Sequence, residues 1–85
     1  MSAPDIHRTI NAVWRIESAK INGALARMVR DVGVGEELAQ DALVAALEQW
    51  PRDGIPDNPA AWLMTAAKHR ALDLLRRRTL LAANE

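Results

Sequence analysis

Pro51-Arg52-Asp53-Gly54-Ile55-Pro56-Asp57-Asn58-Pro59 is the one long stretch of this 85-residue chain that resists helix formation. Proline fixes its own backbone and lacks an N–H, glycine opens conformations other residues avoid, and Asp and Asn bond to their own backbone. A loop this long in so short a chain is itself a functional hint. Working outward, Asn58 followed by Pro59 forms an N-cap and N1 pair that opens a helix on the C-terminal side. On the N-terminal side the same stretch closes a helix, with Pro51 expected as its stop.

Upstream, apolar residues recur three or four apart at Ile6, Ile10, Val13/Trp14, Ile21, Leu25, Met28/Val29 and Val32, which predicts one long amphipathic helix with Gly33 as its left-handed C-cap. Val34 and Gly35 are the expected connection. A second helix is predicted over Glu36–Trp50, its two leading glutamates complementing the helix dipole and Leu38, Ala42, Leu43, Ala45, Ala46 and Leu47 supplying its apolar side. A third is predicted over Pro59–Arg78, buried through Trp62, Leu63, Ala66, Ala67, Ala71, Leu74 and Leu75. The expectation is an all-α, compact three-helix domain. Its core is expected around Trp14, Leu25, Met28, Leu38, Leu43, Leu63, Leu74 and Leu75, with Trp50 also inside. Residues 1–85 read as one domain, with about 6–80 as its ordered core and 81–85 beginning a linker.

Composition narrows the class further. The chain has no Cys, so helix packing must hold it together, and a reducing, cytoplasmic setting fits. It offers no secretory leader pattern and no apolar run long enough to span a membrane. His7 and His69 stand far apart without a carboxylate pair, a Gly-rich phosphate loop or a Ser/His/Asp set. No catalytic residue, metal site or cofactor is therefore expected, and the chain does not read as an enzyme.

The net charge of +0 conceals a division. Residues 1–57 carry six Lys/Arg against nine Asp/Glu, and residues 58–85 carry five against two. The second helix has Glu36, Glu37, Asp41 and Glu48 but neither Lys nor Arg, whereas the third gathers Lys68, His69, Arg70, Arg76, Arg77 and Arg78. One surface suits a cationic protein and the other suits phosphate.

Glu36-Glu37-Leu38-Ala39-Gln40-Asp41-Ala42-Leu43, then Asn58-Pro59-Ala60-Ala61-Trp62-Leu63, then Arg70-Ala71-Leu72-Asp73-Leu74-Leu75-Arg76-Arg77 together resemble region two of extracytoplasmic-function (ECF) sigma factors. Order and spacing match across nearly the whole chain. The second helix and loop look closest to the subgroup that carries a helical-repeat extension at its C-terminus. The resemblance implies a transcription initiation factor domain that docks on core RNA polymerase, on the clamp helices of the largest subunit, through Glu37, Leu38, Gln40 and Asp41. It also implies that the loop and third helix capture and melt the minus-ten promoter element by holding its non-template strand. An anti-sigma factor is the implied regulator.

The residue chemistry agrees in outline. Spacings of three and four put Glu37, Gln40 and Asp41 on one helical face, where they can accept hydrogen bonds from Arg or Lys, although such a face is also what plain solvation produces. Lys68, His69, Arg70, Arg76 and Arg77 can track a strand's phosphates, and Arg52, Asp53, Asp57 and Asn58 offer donors and acceptors to a base edge. Asn58 has two competing uses, reading adenine or capping the third helix. Trp62 can stack on a base or fill the core. Asp73 has a structural use, pairing with Arg70 or Arg77. The third helix departs from the family pattern in its scarcity of aromatics, which predicts melting that is weak or demands a near-consensus promoter. Two readings compete: a helix-turn-helix protein reading duplex DNA, disfavoured by the nine-residue stretch from Pro51 to Pro59, and a helical protein-interaction module.

Overall fold

The computed structural model describes residues 3–83, and these form three helices. They are α1 (Ala3–Val29), α2 (Val32–Asp53) and α3 (Pro59–Ala83), with no strand among the described residues. The all-α expectation is thus met, with boundaries that move for identifiable reasons. Asn84 and Glu85, at the end of the expected linker, lie outside the described residues, and 81–83 continue α3.

The turn between α1 and α2 sits earlier than Gly33. Arg30 takes the left-handed conformation with φ 57°, and the Asp31 N–H donates to the Ala26 carbonyl at 3.2 Å. That is the six-to-one bond of a helix terminated at Val29. Asp31 then caps α2, its Oδ1 accepting from the Val34 N–H at 3.0 Å. Two residues therefore reverse the chain. Gly33, Val34 and Gly35 belong to α2, and Glu36 and Glu37 lie beyond its first turn.

Gly35 is needed for closeness and makes no turn. A Cβ at this position would stand 2.7 Å from the Ala26 backbone nitrogen and 2.9 Å from its Cα. Gly35, Ala39, Ala42 and Ala46, all buried, continue the same seam at helical spacing and let the α2 backbone lie against α1. The core is accordingly built differently from the large-residue set expected. Leu25 and Leu63 are fully buried, but Trp14, Met28, Leu38, Leu43, Leu74 and Leu75 only pack against its margin. Ile6, Ile10, Ile21, Val29, Trp50 and small alanines fill the centre.

Pro51 does not stop α2. The helix runs to Asp53, and Gly54, with φ 92°, ends it by donating its N–H to the Trp50 carbonyl. A proline in the last turn deletes only the bond to the Leu47 carbonyl, and Pro51 is itself exposed. The connection to α3 consequently shortens to residues 54–58, which removes much of the loop-length objection to a helix-turn-helix. Asn58 caps α3 as expected: its Oδ1 accepts from the Ala61 N–H at 3.1 Å, and its backbone carbonyl accepts from the Trp62 N–H at 3.0 Å.

Candidate nucleic-acid and protein interfaces

On α2, the exposed residues Glu37, Gln40, Asp41, Val44 and Glu48 recur at three- and four-residue intervals and so form one face. Their opposites Ala39, Ala42, Ala45 and Ala46 are buried against the other helices. The small-residue seam thus fixes which way the acidic face points. Val44, 49 % exposed, gives that face an apolar centre which charge counting alone did not reveal. Leu38 is half-buried and packs on the core, so it offers a partner only its outer edge.

Along α3 a second face is shaped by three adjoining hollows. The first, about 470 Å³, is lined by Pro56, Asn58, Ala61, Trp62, Thr65, Ala66 and His69. The next shares His69 and adds Leu72, Asp73 and Arg76. The third shares Leu72 and Arg76 and adds Leu75, Thr79 and Leu80. Thr65, His69, Leu72, Arg76, Thr79 and Leu80 are all exposed and fall at three- or four-residue spacing, so the hollows make one continuous track along the helix.

Trp62 stands at the head of this track and serves two environments. One side meets the buried Trp50 in an edge-to-face pair, centroids 5.3 Å apart and planes at 74°, which is a favoured aromatic geometry. The other side lines the first hollow. Core packing and an open aromatic surface, which competed in the sequence, coexist here. Asn58 lines the same hollow while its Oδ1 holds the cap, leaving its amide N–H groups to face outward chemistry.

The basic residues of α3 are less united than their closeness in sequence suggests. His69 and Arg76 line the track. Arg70 and Arg77, seven apart, share a flank, and Arg70 is half-buried with its guanidinium donating to the Ala66 carbonyl at 3.2 Å. Lys68, although exposed, lies on the other side of the track from that flank. Of the four residues expected from the loop, Asp57 and Asn58 do lie in the connection, while Arg52 and Asp53 form the closing turn of α2. Among the described residues no cluster of three His, Cys, Asp or Glu side chains is placed to hold a metal ion. No helix among them is long and apolar enough to cross a membrane.

Residues 17–80, which contain both faces and the turn between them, match the family model described as sigma-70 region 2. The chain belongs to the sigma-70 region 2 family. Curated relatives agree with the motif resemblance. An ECF RNA polymerase sigma factor SigK of Mycobacterium ulcerans (strain Agy99) is 38 % identical over 61 residues, covering 67 % of this chain and 31 % of its own length. The SigK of Mycobacterium sp. (strain KMS) is 35 % identical over 69 residues, covering 76 % of this chain and 34 % of its own. An uncharacterized protein of Rhizobium meliloti (strain 1021) is 42 % identical over 57 residues, covering 67 % of this chain and only 14 % of its own. The region 2 chain therefore spans about a third or less of these relatives. No solved structure gives a significant match.

Proposed function

We propose that this region 2 domain acts in transcription initiation by docking on core RNA polymerase through the acidic face of α2 and holding the non-template strand of the minus-ten element along α3. The observation that carries the second half is the continuous track from Asn58 and Trp62 through His69 to Arg76. It begins at an aromatic surface and an outward amide and proceeds past the His69 ring and Asp73 to the Arg76 guanidinium, so it offers a base-stacking surface at its head and a phosphate contact farther along. Arg70, Arg77 and Lys68 flank it as phosphate contacts, and Arg52 and Asp53 at the end of α2 and Asp57 in the loop offer donors and acceptors to a base edge. Glu37, Gln40 and Asp41 accept hydrogen bonds from cationic residues of the clamp helices, with the outer edge of Leu38 packing beside them. An anti-sigma factor covering either face would silence the domain, and the setting is the cytoplasm.

The five-residue connection between α2 and α3 favours one alternative, a helix-turn-helix reading duplex DNA. Fluorescence anisotropy separates the two, using labelled non-template-strand oligonucleotides and matched duplexes, with core polymerase present to supply the rest of the complex. The expected result is preferential binding of the single strand. Preference for duplex would replace this reading by the alternative, and no DNA dependence at all would leave a protein-interaction module.

A further inference from the structure

From residue 76 onward every described residue of α3 is exposed, so the helix end projects past the bundle. This overhang is about 12 Å long at 1.5 Å per residue. It is amphiphilic: Arg76, Arg77 and Arg78 stand beside Leu80 and Leu81, each leucine 66 % exposed. The exposed face of α2 is its complement in every respect. There Glu37, Asp41 and Glu48 surround the exposed Val44 over a length of about 17 Å, with no Lys or Arg between residues 32 and 50. Each chain thus displays a basic rim with apolar side chains and, on a different helix, an acidic rim with an apolar centre. Zero net charge means that no global repulsion keeps two copies apart.

We infer that the α3 overhang of one copy docks on the acidic α2 face of a second copy. Leu80 and Leu81 cover Val44, while Arg76 and Arg77 pair with Glu37 and Asp41. The contact joins unlike patches, so it is heterologous. Across the pair it covers the α2 face of one copy and the end of the α3 track of the other. On the proposed function, association therefore competes with polymerase at one copy and with DNA at the other, and each paired copy lacks one of the two surfaces until a partner displaces its neighbour.

Sedimentation velocity of the purified 85-residue chain tests this without polymerase or DNA, so its failure leaves the proposed function untouched. At low ionic strength the average sedimentation coefficient should rise with concentration, and it should return to the monomer value in about 1 M salt, where charges are screened within about 3 Å. The charge-reversed variants Arg76→Glu/Arg77→Glu and Glu37→Lys/Asp41→Lys should each be monomeric alone and associate when mixed, since the mixture brings together the unchanged basic and acidic patches, one from each variant, as well as the doubly reversed pair. All substituted side chains are exposed, and circular dichroism verifies that each variant is folded; Leu80→Glu supplies a further variant, expected to be monomeric. A wild-type chain that stays monomeric at low salt, or a mixture that fails to associate, would overturn the inference.

Discussion

Gly33 and Gly35 are two residues apart in one helix, and their physics is opposite. Alanine is favoured over glycine inside a helix by about 1 kcal/mol. At Gly33 a new Cβ would meet only the Asp31 carboxylate at 3.5 Å, an ordinary contact, whereas at Gly35 it would meet the Ala26 backbone at 2.7 Å. Backbone cannot step aside as a side chain can, and overpacking costs about 1–3 kcal/mol. Gly33→Ala should therefore stabilise the domain by ~0.5–1 kcal/mol, and Gly35→Ala should destabilise it by a net ~1–2 kcal/mol. Urea unfolding followed by circular dichroism measures both. Arg30 poses the converse case, a side chain held at φ 57° where glycine is normal. Arg30→Gly should raise stability by ~0.5–1 kcal/mol, the relief of left-handed strain being partly offset by the flexibility glycine adds to the unfolded chain.

Helix α3 was the most legible element, because its start is written in local chemistry. Asn58 followed by Pro59 caps the helix as the pair requires, and removing that cap has a definite expected effect. Asn58→Ala should destabilise the domain by about 1 kcal/mol, and it should also loosen the proposed strand site, since Asn58 lines the hollow next to Trp62. The α1–α2 turn was illegible for a reason equally local: propensity points to Gly33, but the turn uses Arg30 and Asp31, and the glycine at 35 is spent on helix contact. Pro51 misled in the same way, since a proline in a last exposed turn deletes one bond without ending the helix. The acidic α2 face was readable from spacing alone. The division of the α3 cations into track and flank was not, because their proximity in sequence hides a rotation of about 100° per residue. That division gives a test. Neutralising Arg76 and Arg77 together should weaken single-strand binding for every sequence, and it should lower the slope of log affinity against log salt by roughly one for each lost phosphate contact. Replacing Asp57 should instead alter which base is preferred, a change that binding to a panel of single-base variants would register.

The molecule measures 50 × 23 × 18 Å, and the two proposed functional surfaces lie on different helices of one bundle. α1 packs along α2 in the largest interface, while α3 touches both. The small-residue seam through Gly35, Ala39, Ala42 and Ala46 orients the acidic face, and the Trp50–Trp62 pair anchors the head of the α3 track to the same core. The faces proposed for polymerase docking and strand capture are thereby held in fixed relation, and on that proposal binding one partner presents the other surface without rearrangement. The measurement closest to this reading is a titration of core RNA polymerase with the wild-type chain and with Glu37→Lys/Asp41→Lys, circular dichroism confirming that the variant is folded. Both carboxylates are exposed, and reversing them sets like charge against the clamp helices. The predicted result is saturable binding by the wild type and loss of binding of a hundredfold or more in the variant, roughly 3 kcal/mol. Equal affinity of the two folded chains for core polymerase would contradict it.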